Sequence, residues 1–387
     1  MLINIPVSVK QFREEYFEQK PFLIKNAVKK ENLLSWKHIN EILPRCNLIS
    51  ESKIKLMYQG NKLAKEAYLE QYDDLGTIRY KFHQESLYNF MRAGATLVAN
   101  GIVNEPHLDI FCQEISSFLG CHTFASLYIA FNSERSFKNH WDSRDIFAIQ
   151  MKGRKRWLIY KPTFPNPLYM HKSKEMPLYQ CDTSEVYMDI MLEEGDVLYL
   201  PRGWWHDPIP VGEETVHLAI GIFPPYANNY LNWITKKVVD NEVARKSLHS
   251  FAQDEVLLEE LAKVTSDSIK DRANYMRFLE EFYDSKRIES PLNLEIFANH
   301  KNTSLSEDTK IGFISKNHWH DKYQKIIANG YGIAIDEKFK PILEHLQQPS
   351  SIALPDLLNS IENEEDKQSI LDLLWSLSYL GILKIQS

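Results

Sequence analysis

Two short segments about sixty residues apart constrain this chain more than anything else in it: Asn139-His140-Trp141-Asp142 and Pro201-Arg202-Gly203-Trp204-Trp205-His206. In a β-strand, residues i and i+2 point to one face, so His140 and Asp142 converge if the first segment is extended. A later strand can deliver His206 to the same point. Two neutral imidazoles and one carboxylate on one side of a metal leave the other positions open, a set that suits non-haem Fe(II) binding O2 and a co-substrate.

His-x-Asp alone is a weak signal, and His107-Leu108-Asp109 is a second copy. That copy runs into Ile110, Phe111, Ile115, Phe118 and Leu119, spaced like the buried stripe of a helix. Asp109 is then an N-terminal cap or first-turn carboxylate. His318-Trp319-His320 echoes the first segment, but no partner segment lies beyond it at suitable spacing. Lys316, Asp321 and Lys322 give it solvated surroundings, so it reads as surface loop or helix.

The copy at 140 leads instead into strand patterns. Ile146–Met151 is an apolar strand, Lys152-Gly153 a turn, and Lys155-Arg156-Trp157-Leu158-Ile159-Tyr160 a second strand, together a hairpin signal. Alternation puts Lys155 on the face of Trp157 and Ile159, which have core character. An inward lysine needs an anion or a carboxylate partner. Beside an iron site, that anion fits the far carboxylate of a dicarboxylate co-substrate. The alternative is that Lys155 belongs to an exposed run, Lys152-Gly153-Arg154-Lys155-Arg156.

With these residues in place the sequence resembles the JmjC/cupin-type 2-oxoglutarate oxygenases, and within them the ribosomal oxygenases. Their pattern is His-x-Asp, a basic residue fifteen positions after the first histidine, then Gly-Asp-x-x-x-x-Pro-x-Gly-x-x-His. This chain has His140-Trp141-Asp142, Lys155, and Gly195-Asp196-Val197-Leu198-Tyr199-Leu200-Pro201-Arg202-Gly203-Trp204-Trp205-His206. Phe12–Ile24 also resembles the opening helix-and-strand segment of that group, so the similarity runs from about residue 10 to about 225.

The resemblance implies that His140, Asp142 and His206 ligate Fe(II) and carry catalysis, with Lys155 on the distal carboxylate of 2-oxoglutarate. Tyr128, in Leu127–Phe131, matches a tyrosine of the co-substrate pocket. Ser126 stands where some relatives place asparagine. His217 stands where relatives carry a polar residue near the metal, with a satisfied core histidine as the other reading. Trp204 and Trp205 either shape the substrate mouth or pack the barrel rim. The implied chemistry is oxidative decarboxylation of 2-oxoglutarate to succinate and CO2, coupled to hydroxylation of a substrate C–H.

The fold class expected is α+β. Aromatic and β-branched segments between turns over residues 120–225 suit a small antiparallel barrel or jelly roll, and the resemblance implies a JmjC/cupin catalytic domain over residues 1–225 with a double-stranded β-helix core at about 94–225. Gly94–Val98 reads as a strand entering its main sheet. Residues 226–335 are expected to be helical, with stripes such as Tyr230-Leu231-Trp233-Ile234-Val238. In the resembled group the equivalent region mediates dimerisation, so a homodimer is expected, with Ile234 and Val238 at its surface. Residues 336–387 carry three helical stripes and a last strand at Gly381–Ile385, which resembles the winged-helix-like domain of the ribosomal oxygenases.

Charge and cysteine usage bound the partners. The net charge of −7 argues against bulk nucleic-acid binding. Glu362, Glu364, Glu365, Asp366 and Asp372 crowd the approach to the last helix, where a DNA reader needs Lys or Arg. Cys46, Cys112, Cys121 and Cys181 are scattered, without zinc spacing or a disulfide framework. No apolar run reaches membrane-spanning length and no signal peptide is evident, so a reducing cytoplasm is the expected location. The leading expectation is hydroxylation of a side chain in a ribosomal protein or other polypeptide. Lysine demethylation is possible on the same chemistry. Hydroxylation of a small metabolite or free amino acid, and a non-catalytic cupin-type binding protein, are the alternatives.

Overall fold

The computed structural model describes residues 2–46, 53–132, 137–285, 292, 294, 309–313, 318–320, 325–346, 351–359, 361 and 363–386. The chain divides into two compact units, residues 1–119 with 123–223, and residues 120–122 with 224–387. Among the described residues no helix is long and apolar enough to cross a membrane. All four cysteines are free thiols.

The first unit begins with α1 (Val9–Glu15) and β1 (Phe22–Ile24). The Ser8 hydroxyl caps α1 by accepting from Gln11 N–H (3.1 Å), and the buried Phe12 packs on Tyr199 and Phe147 at ring separations of 4.8 and 5.8 Å. Then come α2 (Trp36–Arg45), β2 (Ile54–Tyr58), β3 (Asn61–Lys62), β4 (Leu69–Asp74), β5 (Thr77–Phe82), α3 (Gln84–Arg92) and β6 (Thr96–Ile102). After α4 (Pro106–Leu119), seven strands complete the unit: β7 (His122–Ala130), β8 (Ile146–Lys152), β9 (Lys155–Tyr160), β10 (Met188–Leu192), β11 (Val197–Leu200), β12 (Trp205–Pro210) and β13 (Thr215–Phe223). One eight-stranded sheet runs β1-β11-β8-β13-β7-β6-β2-β3, and a three-stranded sheet runs β10-β9-β12. Every pairing described in them is antiparallel, the jelly-roll architecture expected.

The two strands around Gly153 are where expected, but they are not a hairpin. β8 pairs with β11 and β13, whereas β9 pairs with β10 and β12. Lys152-Gly153 is therefore a corner that carries the chain from one sheet to the other. Gly153 has φ +59°, and a Cβ there would meet the Glu214 carbonyl oxygen at 1.8 Å. Only glycine fits that corner. In α4, Phe111, Ile115 and Leu119 are buried as expected, and Asp109 lies in the first turn. Ile110 departs from the expected stripe and is exposed, because the buried face is completed by Leu108 and Cys112.

The second unit contains α5 (Ala227–Val238), α6 (Phe251–Lys270) and α7 (Arg272–Asp284). Ile234 and Val238, expected at a dimer surface, are buried within this chain (0% and 7% exposed). After these helices the chain turns to strands earlier than expected: β14 (Lys310–Phe313), β15 (His318–His320), β16 (Lys325–Ala328) and β17 (Tyr331–Ala334). His318–His320 is thus strand rather than loop or helix; Lys316, Asp321 and Lys322 lie outside the described residues. The remaining elements are α8 (Lys340–Leu346), β18 (Ile352–Ala353), α9 (Leu354–Leu358), α10 (Glu364–Tyr379) and β19 (Leu383–Gln386). β14 sits between β18 and β19, and Ile311 and Ile326 share one apolar core with Ile342, Leu343, Leu357 and Leu374. The expected boundary at 336 therefore cuts through this module, whose sheet begins at Lys310.

Candidate metal centre

The centre is built on a two-residue bridge. His140 N–H donates to the His206 carbonyl (3.1 Å), and His206 N–H donates back to that of His140 (2.8 Å). Directly opposed, hydrogen-bonded residues in an antiparallel pair project to the same side, and the two imidazoles lie 4.3 Å apart. Asp142 returns to that side two residues later, and its carbonyl accepts from Gly203 N–H (3.0 Å). One donor atom from each of His140, Asp142 and His206 can be chosen so that all lie within 4.8 Å of one another.

The donor set fits a divalent transition metal. His140 Nδ1–H donates to the Lys138 carbonyl (2.8 Å), and His206 Nδ1–H to the Trp204 carbonyl (3.0 Å). A carbonyl can only accept, so both rings are held as the Nδ1–H tautomer with the Nε2 lone pair free. His206 Nε2 stands 3.6 Å from Asp142 Oδ2. Burial, reinforced by the neighbouring His140, pushes His206 down to about 4, so it is neutral, the form that ligates, at physiological pH.

Lys155 points inward, 3% exposed, on the face of Trp157 and Ile159. Arg154 and Arg156 face outward and pair with Glu213 and Asp189. Lys155 Nζ lies 3.3 Å from His217 Nδ1. Burial alone pushes the Lys155 ammonium down to about 7. Burial, then the Lys155 charge, holds His217 well below its usual range. The His217 ring stacks on Tyr128 at 4.6 Å and meets Trp157 edge-on at 5.4 Å. Among the described residues the buried Trp157 indole N–H has no acceptor. Burial, then the nearby Asp142 carboxylate, pushes the Tyr128 hydroxyl up, so it stays protonated. Lys155 and Trp157 thus share one inward face of β9, and Tyr128 stacks on the His217 ring that Lys155 meets, a buried polar cluster whose ammonium suits an anion.

Other expected residues fall elsewhere. Ser126 is buried, and its hydroxyl accepts from Gly101 N–H of β6 (3.2 Å). His107 stacks on His38 at 4.0 Å and is absent from the metal set. Trp204 packs in the core with Trp157 and Leu198, and Trp205 packs on Trp141 and Tyr160, so both fill space. Asp196 of the Gly-Asp motif is structural: its carboxylate accepts from Lys25 Nζ (2.6 Å), Asn26 N–H (2.9 Å) and Glu193 N–H (2.8 Å). Sequence reasoning missed Asp145 and Arg202, both buried and paired at 3.1 Å. The available signal was an arginine in the tight turn Pro201-Arg202-Gly203 between two apolar strands.

Residues 97–230 match the family model described as JmjC domain. The chain is 28% identical over 264 residues to the bifunctional lysine-specific demethylase and histidyl-hydroxylase NO66 of Drosophila sechellia, covering 65% of this chain and 39% of that protein. To the Aedes aegypti protein of the same name it is 27% identical over 222 residues, 56% of this chain and 33% of the relative. It thus spans about two fifths or less of the length of these relatives. Among solved structures, the Escherichia coli ribosomal oxygenase YcfD matches over 100% of both chains at 16% identity and a TM-score of 0.60. A YcfD structure in complex with cobalt and 2-oxoglutarate matches over 100% of both chains at 15% identity and a TM-score of 0.60. The chain thus shares the fold of YcfD, with a JmjC-domain match over residues 97–230.

Proposed function

We propose that this chain is an Fe(II)- and 2-oxoglutarate-dependent oxygenase that hydroxylates a protein side chain, with a ribosomal protein as substrate. The observation that carries this reading is the convergence of His140, Asp142 and His206, both rings fixed in the ligating tautomer, near an inward lysine that has no acidic partner among the described residues. The structural neighbour solved with cobalt and 2-oxoglutarate supports the cofactor pair, and its being a ribosomal oxygenase supports the substrate class. Iron in this setting supplies O2 activation coupled to decarboxylation of 2-oxoglutarate.

The chain's own residues bind and orient. His140, Asp142 and His206 would hold the metal. Lys155 takes the distal carboxylate of the co-substrate by a charge-assisted contact, and Trp157 N–H is available as a second donor. Tyr128 and His217, stacked at 4.6 Å, stand beside Lys155 and would border the bound co-substrate. The reading includes a reducing cytoplasm, which four free cysteines suit. It also includes a homodimer through the α5–α7 region: α6 spans 20 residues yet buries only Asp254, leaving Phe251 and Val256 79% and 77% exposed.

Two measurements test it. Purified chain with Fe(II) is expected to convert 2-oxoglutarate to succinate, and no succinate above the metal-free control rejects the enzyme. Ribosomal proteins from cells with and without the chain are then compared by mass. A gain of one oxygen on one protein supports hydroxylation, loss of a methyl group would indicate demethylation, and no change there with turnover on a free amino acid would reassign the substrate class.

A further inference from the structure

We infer that Arg202 is a positioning residue of the metal centre: clamped between Asp145 and Glu18, it fixes the spacing between the segment carrying Asp142 and the turn delivering His206, and ties that spacing to the seating of α1. The inference rests on the proposed metal centre.

The segments 140–145 and 199–206 are cross-linked at three levels. At one end His140 and His206 exchange backbone hydrogen bonds. In the middle Gly203 N–H holds the Asp142 carbonyl. At the other end Asp145 Oδ1 accepts from the Tyr199 hydroxyl (2.9 Å) and Arg202 N–H (3.4 Å), while Oδ2 accepts from Arg202 Nη1 (3.1 Å). Asp145 is itself anchored, because its carbonyl accepts from Ile222 N–H of β13 (3.1 Å). It therefore offers a fixed point from which the Arg202 turn is measured.

Arg202 has a second partner outside the two ligand segments. Its Nη1 also donates to Glu18 Oε1 (2.5 Å), just beyond the end of α1, and Glu18 N–H donates to the Tyr199 hydroxyl (2.9 Å). Glu18 sits at φ +60°, a backbone conformation a glutamate rarely adopts. Phe12 seats the same helix against Tyr199. Helix, strand and turn thus meet at one guanidinium, and the turn can keep no slack: Gly203 has φ +84°, and a Cβ there would lie 2.7 Å from the Phe164 carbonyl oxygen. Residues that fix ligand orientation from outside the ligand set commonly change metal affinity by about 10–100-fold.

The test is titration of the metal-free full chain with Co(II), read by its visible absorption, alongside thermal unfolding of the apoprotein. Arg202→Met alone strands the buried Asp145 carboxylate and invites misfolding. Two other variants are used instead: Glu18→Gln, which leaves the Arg202–Asp145 pair intact, and the double variant Asp145→Asn with Arg202→Met, which removes both charges together. Glu18→Gln is expected to weaken Co(II) several-fold with a little-changed melting temperature. The double variant is expected to weaken it by about tenfold or more and to alter the shape of the ligand-field bands. Wild-type affinity and spectrum in Glu18→Gln overturn the inference, whether or not the double variant folds. If the wild-type chain itself binds no Co(II), or His140→Ala binds it equally, the metal centre falls and this inference with it.

Discussion

His140 and His206 exchange both of their backbone hydrogen bonds, at 3.1 and 2.8 Å, although about 65 residues separate them in the chain. The bridge sets the two imidazoles side by side before any metal binds. Each ring is then turned by a carbonyl two residues before it in the chain, Lys138 for one and Trp204 for the other. The proposed metal centre is thereby preorganised by main-chain geometry, with Asp142, whose side chain is 45% exposed, the ligand that retains most freedom to adjust.

Such a set has no spare protein ligand. His140→Ala, Asp142→Ala and His206→Ala should each weaken metal binding by more than about a hundredfold, beyond the usual effect of losing an outer partner. His107→Ala should leave metal affinity unchanged, because that ring packs on His38. Equilibrium titration with Fe(II) under anaerobic conditions checks both. Wild-type affinity in His140→Ala would sink the assignment.

Lys155→Met should separate co-substrate binding from folding. A charge-assisted contact is worth about 1.5–3 kcal/mol, so the apparent 2-oxoglutarate constant should rise about tenfold or more with iron still bound. The same change should raise the melting temperature of the apoprotein at pH 6, since it removes a buried ammonium that has no acidic partner among the described residues. Steady-state succinate assays and calorimetric scans read the two effects independently. An unchanged constant would place the anion elsewhere, though Arg154 and Arg156, paired on the outside, are poor substitutes.

What sequence reasoning reached was whatever depends on short-range periodicity. Alternation through Lys155, Trp157 and Ile159 put the lysine indoors, and the i, i+2 spacing put His140 and Asp142 together. It could not tell a hairpin from a corner at Gly153, because both require the same turn chemistry and differ only in which distant strands lie beside β8 and β9. The stripe at Ile234 and Val238 announced burial but not against what, and both side chains are buried within this chain. Glu18 and Asp145 have no local pattern, and the turn that holds Arg202 does not name its partners: Asp145 lies 57 residues before it and Glu18 184.

The Lys155 pair also carries a pH signature. Its folded value of about 7 lies below the unfolded value of 10.5, so between them the unfolded chain binds the extra proton. Stability of the apoprotein should therefore rise with pH through that window. A bound dicarboxylate supplies the missing counter-charge and restores the ammonium, while His217 remains neutral. Binding at pH 8 should then take up close to one proton, and at pH 6 almost none. Titration calorimetry in buffers of different ionisation enthalpy measures this directly; equal proton uptake at both pH values would contradict it.

Gly153→Ala should be costly for a residue on a turn. The left-handed backbone alone costs an alanine about 1–2 kcal/mol, and the Cβ would collide with the Glu214 carbonyl. Relief of that clash must shift the corner two residues before Lys155. Urea unfolding is expected to show at least about 2 kcal/mol of lost stability, with a weakened 2-oxoglutarate constant. A loss below about 1 kcal/mol, on the order of an ordinary surface change, would mean the corner relaxes freely.

The helical region gives the last prediction. A helix of 20 residues that buries only Asp254 against its own chain leaves apolar surface for another. Leu231, Val239 and Leu248 in the neighbouring segments are also about half or more exposed. A second copy would cover this surface, and a stable homodimer of this kind buries upwards of about 2,000 Å2 in total. Light scattering at low micromolar concentration should give twice the chain mass. Phe251→Glu and Val256→Glu should shift it toward one chain while keeping the melting profile of the β unit and the metal. Ile234→Glu, in contrast, should unfold the helical region, because that side chain is fully buried in the isolated chain. A mass of one chain that persists on further concentration would reject the dimer, and the exposed residues of α6 would then need a different partner.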